Sequence, residues 1–267
     1  MIRACVFDLG GTIVDRYSVT PFFSIKKAFL KNGINIPERV ILKDMGFSKN
    51  KHIGNILCDN YVQTKWFNEY GKFPDSLDCD MIYEDFKTLQ NVNSKEITVL
   101  PETAHAFEYL RQMDVKIGVT TGFDKENMDI ILSRLEDYGL YVDGAVSSSC
   151  LSKARPYPDM INKLKKDFEI ENDYQLIKFD DTPMGIKEAN NGGFWSVGVT
   201  KWSALMEIVE PEDIMGFGLM ASDEYVNRLM KTRSSLIEAD ADFVIYDLSE
   251  IDDIFREVRK SILYDYF

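Results

Sequence analysis

Imidazole and thiol groups are few, two histidines and four cysteines in 267 residues, and the cysteines stand apart at positions 5, 58, 79 and 150. With no CxxC spacing, neither a zinc site nor a disulfide framework is expected, and the four thiols read as reduced. Long apolar runs are missing too: none approaches the roughly 20 residues that span a bilayer. The segment Met1 to Asp8 reads as a strand entering a motif rather than as a signal segment, so a cytoplasmic protein is expected. Positive charge is scarce, with 31 basic against 44 acidic side chains and a net charge of -13. Nucleic acid and anionic membranes are poor partners for such a chain, because both demand basic patches. A small anion is not excluded, since a metal, one or two cations and a helix N-terminus can bind it. What remains, 45% hydrophobic and 28% charged, suits a folded protein with one large domain or a core carrying an insertion.

Strand-like runs ending in polar residues recur at 3–8, 115–121, 144–148, 175–180 and 194–199, with helical stretches between several of them. A sixth, 242–246, precedes a C-terminal amphipathic helix. This alternation predicts an α/β fold built on a doubly wound parallel sheet, whose ligands sit beyond the carboxyl ends of the strands. Between residues 15 and 100 the pattern changes. Segments 22–31, 49–57, 62–70 and 77–90 have helical apolar spacing and no convincing strand lies among them. The expected organisation is a Rossmann-like catalytic core, residues 1–15 and 98–267, with an inserted α-helical cap, residues 16–97, whose two connections flank the site. Residues 204–240 read as helical and peripheral, interrupted by Pro211, Gly216 and Gly218.

Four strand ends carry candidate chemistry. Asp8, in Val6-Phe7-Asp8-Leu9-Gly10-Gly11-Thr12, is a candidate nucleophile, although Asp-x-Gly is also common turn chemistry. Thr120-Thr121-Gly122 offers hydroxyl and backbone N–H groups to phosphoryl oxygens, or a helix N-cap. Arg155, ahead of Pro156-Tyr157-Pro158, offers a rigid donor fork for an anion, against the alternative of a solvated surface charge. Asp180 and Asp181 end the fourth strand and, with Asp8, suit an oxygen-ligated magnesium ion.

The predicted cap adds Met45-Gly46-Phe47-Ser48-Lys49-Asn50-Lys51-His52. Ser48 reads as an N-cap, which places Lys49 in the first helical turn, where the helix dipole and nearby Lys51 or Arg155 oppose protonation of its amine. A neutral amine is what attack on a carbonyl requires. His52, three residues on, shares its helical face and is a candidate to order that amine or relay a proton. The competing reading for both is a solvated helix face.

The set Asp8-x-Gly10-Gly-Thr, Met45-Gly46-x-x-Lys49-x-x-His52, Thr120-Thr121-Gly122, Arg155-Pro156-Tyr157-Pro158 and Asp181-Thr182 resembles, in order and over nearly the whole chain, the phosphonoacetaldehyde hydrolase family of the haloacid dehalogenase superfamily. The resemblance implies that Asp8 takes a phosphoryl group, that Lys49 forms a Schiff base with a small phosphonate aldehyde, and that Mg2+ is held by Asp8, the Gly10 carbonyl and Asp181. It also implies a homodimer joined through the caps, and substrate contacts from Gly46, Thr121, Gly122 and Arg155. Most phosphatases of the superfamily carry an acid-base aspartate two residues after the nucleophile; here that position is Gly10. The chain departs from the family pattern at Gly10, usually alanine, at Phe123, usually tyrosine, and at Asp159, where an aromatic is common. In the fourth motif Asp180 replaces a glycine and Gly185 an aspartate, so Asp180 is a candidate to replace the missing carboxylate. A phosphatase or phosphomutase of the superfamily, a carbon-halide hydrolase and a non-catalytic phosphonate-binding relative stay open as alternatives.

Overall fold

Six strands, all paired in parallel, form one sheet in the computed structural model, which describes residues 1–209 and 222–264. They are β1 (Ala4–Phe7), β2 (Lys116–Thr121), β3 (Gly144–Ser147), β4 (Leu176–Asp180), β5 (Trp195–Val199) and β6 (Phe243–Ile245), in spatial order β3-β2-β1-β4-β5-β6. Each coincides with a run expected from the sequence, shorter by one or two residues. Asp242, for example, leaves the ladder because its carboxylate accepts from the Ser196 backbone N–H and hydroxyl. Phe7 stands level with Val119 of β2 and Phe179 of β4. That register brings the ends of the three central strands to one height, on either side of the point where strand order reverses.

Period-two alternation assigns the two faces of the sheet. Cys5 and Phe7, with Ile117, Val119, Phe179 and Val197, face one core shared with Phe107, Leu110 and Val258. Ala4 and Val6 face a second, with Met160, Ile161, Leu164 and Ala189. The covering helices are α6 (Thr103–Gln112), α7 (Lys125–Asp137), α8 (Asp159–Asp167), α9 (Pro183–Asn191), α10 (Ser222–Glu238) and α11 (Ile251–Tyr264). The segment 204–240 contains a 3-10 turn at Ala204–Met206 and α10; Pro211, Gly216 and Gly218 lie outside the described residues. No helix among the described residues is long and apolar enough to cross a membrane.

Five helices lie between β1 and α6: α1 (Val19–Lys31), α2 (Glu38–Leu42), α3 (Lys49–Leu57), α4 (Asn60–Tyr70) and α5 (Ser76–Ser94). α1 starts three residues before the expected 22, because Pro21 falls in its first turn, where its missing N–H costs no hydrogen bond. α2 was not expected, being too short to show a period. Asp59 caps α4, and Asp75 with Asp78 forms a capping box on α5. Phe22, Phe29, Ile53, Trp66, Ile82 and Phe86 bury the inward faces of these helices.

The chain enters and leaves this helical segment side by side, through an antiparallel bridge between Val14 and Val99. Asp15, Tyr17 and Ser18 form the entry corner with φ of 58°, 58° and 50°, left-handed values that are costly for residues with a Cβ. The Asp15 side chain holds the corner. It accepts from the Thr20 hydroxyl at 2.8 Å and the Thr20 N–H at 3.1 Å, while its backbone N–H donates to Thr98 O. Burial lifts its pKa to about 7, against the opposing pull of the Thr20 bonds and Lys49. The folded state therefore binds this proton more tightly than the unfolded chain does. Asp15 contributes stability that is fully present below about pH 4 and is lost as pH rises toward 7. Urea unfolding of Asp15→Asn, which keeps an acceptor for Thr20, is expected to gain about 2 kcal/mol on the wild type between pH 5 and 8. Parallel pH profiles for the two proteins would contradict this.

Candidate active site

Asp8 is the first residue beyond β1, and its N–H donates to Phe179 O of β4, so its direction is set by the sheet. Its buried carboxylate accepts from Arg155 Nη2 at 2.8 Å. The following loop turns at Gly11, φ 74°, where a Cβ would stand 2.6 Å from Asp181 Oδ2. Glycine is required there both by the backbone and by the neighbouring carboxylate.

Arg155 is 4% exposed, which rules out a solvated surface charge. Its Nε donates to Glu188 at 2.9 Å, and its Nη2 donates to the Thr120 carbonyl and hydroxyl as well as to Asp8. Lys178, fully buried, donates to the same Thr120 hydroxyl at 2.9 Å and lies 3.2 Å from Asp180 Oδ2. The second strand end thus divides. Thr120 is committed to the internal charge network and Thr121 lines the cavity. Sequence reasoning assigned no role to Glu188 or Lys178. The available signal for Lys178 was a charge between Ile177 and Phe179 in an otherwise apolar strand; Glu188, on the buried side of α9, gave none. Removing one member of such a network leaves an uncompensated charge in the interior, which is strongly destabilising.

Asp8, Asp180 and Asp181 form a cluster in which one oxygen from each lies within 4.8 Å of the others. Asp180 Oδ2 and Asp181 Oδ1 are buried without a hydrogen-bond partner. Burial raises the pKa of Asp8 and of Asp181, and the charge of Asp180 adds to both shifts. For Asp180 burial acts upward too, but Arg155 and Lys178 outweigh it and hold the carboxyl below the usual range. Concentrated anionic oxygens with orphaned lone pairs fit a hard divalent cation such as Mg2+.

α3 brings the remaining candidates over these strand ends. Ser48 is its N-cap residue as expected, but its hydroxyl accepts no capping bond; instead the Lys49 N–H donates to Gly122 O at 3.2 Å. Gly122 is tied by this approach, since a Cβ on it would lie 2.7 Å from Phe47 O. Gly46, φ 96°, passes Thr182 in the same manner. Lys49 is 6% exposed, with Nζ 5.5 Å from the Phe123 ring centroid, so the solvated-face reading fails. Its pKa falls to about 8, mainly through burial, with Arg155 acting in the same direction and Asp8 against it. The dipole and Lys51, invoked from the sequence, are therefore not the leading causes; Lys51 is exposed and lies over the Phe47 ring. His52 is fully buried, and its Nε2 lies 2.7 Å from Ile41 O. A carbonyl only accepts, so Nε2 carries the proton and Nδ1, without a partner, keeps a lone pair. Burial first, then Lys49, lowers the pKa of His52 to about 3, so the ring is neutral.

One cavity of about 30 Å³ joins the strand ends to α3. Asp8, Gly10, Gly46, Lys49, Thr121, Gly122, Arg155 and Asp181 line it, with Ser18 and Phe123. Of the residues expected at the site, Asp180 and His52 stand behind this lining. Asp159 does not line it: it begins α8, where an acid suits the helix N-terminus. Such a volume holds about two waters, which restricts occupants to small molecules unless α3 withdraws.

A family model described as haloacid dehalogenase-like hydrolase matches residues 5–199. Phosphonoacetaldehyde hydrolase of Bacillus mycoides is 30% identical, over 98% of this chain and 98% of the relative. That of Syntrophobacter fumaroxidans is 28% identical over 98% and 93%. Among solved structures, a phosphonoacetaldehyde hydrolase-like protein from Oleispira antarctica superposes with a TM-score of 0.91 at 25% identity, covering 97% of this chain and 93% of its own.

Proposed function

Because the chain belongs to the haloacid dehalogenase-like hydrolase family, we propose that it cleaves the phosphorus–carbon bond of phosphonoacetaldehyde, giving acetaldehyde and phosphate. The observation that carries this reading is the Lys49 amine, buried with Asp8 around one cavity and brought to a pKa of about 8, where residue 10 offers no acid. Residues 16–97 act as the cap that delivers this amine, and their side-by-side connections at Val14 and Val99 suit a hinge.

Expelling a carbanion is far harder than expelling an alkoxide, so protonating the leaving group does not lower the barrier enough. In this reading neutral Lys49 adds to the aldehyde and, with uptake of one proton and loss of water, forms an iminium. One Asp8 oxygen attacks phosphorus in line; the P–C electron pair moves into the iminium as an enamine, and the phosphoryl group passes to Asp8. Protonation at carbon and hydrolysis of the imine free acetaldehyde and Lys49, and water then cleaves the aspartyl phosphate. Mg2+ bound by Asp8, the Gly10 carbonyl, Asp181 and Asp180 would offset the repulsion between nucleophile and substrate and orient the phosphorus. Arg155, fixed by Glu188 and Thr120, directs Asp8 and adds positive potential for the phosphonate. Thr121 and Gly122 receive its oxygens. Gly46 lets the cap close on Thr182, and neutral His52 orders the base of α3 without adding a second cation beside Lys49.

The test is incubation with phosphonoacetaldehyde and with several phosphate monoesters, with and without Mg2+, following phosphate and acetaldehyde together. Equal amounts of both products, only with Mg2+, and turnover of the esters at least about 100-fold slower are expected. Faster release from a phosphate ester would favour the phosphatase or phosphomutase reading, and no release from any compound the binding-protein reading. We extend the proposal to a homodimer through the caps, which exposed Tyr61, Phe67, Phe73 and Leu77 on and beside α4 and α5 support. Sedimentation equilibrium showing a monomer at micromolar concentration would remove it. A cytoplasmic location suits four free thiols.

A further inference from the structure

Position 185 has no room for a side chain. A Cβ built on Gly185 falls inside the Asp180 carboxylate, well within van der Waals contact of Cγ and both oxygens. Gly185 lies in the first turn of α9, where glycine costs about 1 kcal/mol relative to alanine. The backbone there does not require glycine, so the reason is the volume that Asp180 fills. Asp180 is held in that volume by Thr182, whose N–H and hydroxyl donate to Oδ1 at 3.0 and 2.7 Å. The same Thr182 hydroxyl accepts from the Gly185 N–H at 3.3 Å, so the strand end, the cap of α9 and position 185 form one closed unit.

The other Asp180 oxygen also fills the space of a residue-185 Cβ and faces the charge network. Oδ2 is ion-paired with Lys178 Nζ at 3.2 Å and Arg155 Nη2 at 3.3 Å without a hydrogen bond to either, and is buried beside Asp8 and Asp181, whose Oδ1 has no partner. We propose that Asp180 and Gly185 are a matched pair. The carboxylate at the end of β4 takes the space of a side chain on α9 and from there supplies the third carboxylate of the cation cluster while anchoring Arg155 against Asp8. Only one of the two positions can deliver that carboxylate, so a change at either is conditional on the other. This inference rests on the cation site of the proposed function, but its steric half is independent of it.

Two measurements separate the halves. The first is thermal unfolding of the full chain in EDTA. Gly185→Ala should lower the melting temperature by several degrees, and the loss should vanish when the same change is made in Asp180→Gly. An equal loss in both backgrounds, or none in either, would overturn the steric coupling. The second is Mg2+ calorimetry on wild type, Asp180→Asn, Asp180→Gly and Asp180→Gly/Gly185→Asp. The isosteric Asp180→Asn keeps the packing and should weaken Mg2+ binding about tenfold or more, as should Asp180→Gly; the double variant should recover most of the affinity. Unchanged affinity in Asp180→Asn, or no recovery in the double variant, would refute the relocated carboxylate. A wild type that binds no Mg2+ would overturn the cation half together with the metal part of the proposed function, and leave the unfolding result to decide the steric half.

Discussion

Lys49→Ala is expected to lower kcat/KM for phosphonoacetaldehyde by about 10,000-fold or more, because it removes the only proposed sink for the electrons of the breaking P–C bond. Lys49→Arg should fail equally. It keeps the charge over Phe123 but cannot form an imine, which separates nucleophilic catalysis from simple electrostatic attraction of the phosphonate. Borohydride added with substrate should block Lys49 irreversibly in the wild type and leave Lys49→Ala unlabelled, as peptide mass mapping would show. The pH dependence follows from the same environment. Burial brings the Lys49 pKa to about 8, and the reactive form is the neutral amine. The rate of imine formation should therefore fall about tenfold for each pH unit below 8 and level off above it. Retained turnover in Lys49→Ala, with no trapped adduct in the wild type, would sink the Schiff-base mechanism.

Asp8→Asn should abolish phosphate release to a similar degree while leaving the imine intact, so borohydride should still label Lys49. This dissociation is the sharpest consequence of assigning the two steps to separate residues on separate elements, the end of β1 and the first turn of α3. A side effect on stability is expected as well. The substitution deprives Arg155 Nη2 of a charged partner at 2.8 Å, but it also relieves a carboxylate whose burial raises its pKa beside Asp180 and Asp181. The two effects oppose each other, and the net change in unfolding free energy should stay within about 2 kcal/mol. If Asp8→Asn lost borohydride labelling along with phosphate release, Asp8 would be acting before imine formation and the assignment of steps would fail.

The six strands were legible because a fully buried parallel strand is a short apolar run with polar residues at its ends, a pattern that needs no neighbours to recognise. Asp8, Thr121 and Asp181 were legible for the same reason, since ligands of such sheets gather where the strands stop. The short helix α2 gave no period to read, and α1 began earlier than its apolar spacing implied because Pro21 is tolerated in a first turn. The candidate lysine was readable from its motif, but the cause of its lowered pKa was not. The dipole of α3 is a local property, whereas desolvation is produced by Phe123, Gly122 and the strand ends that close over the amine.

Residues Val6 to Thr12 alone placed a carboxylate at the mouth of a sheet and left residue 10 without an acid, because strand alternation and glycine chemistry are local. What stands opposite that gap was decided only when the chain folded. The tertiary structure brought Lys49 from 41 positions away into the same cavity, joined Lys178 and Glu188 to Arg155, and pressed Asp180 into the space of residue 185. Burial and close approach are sums over many distant residues, and no single segment of sequence carries them.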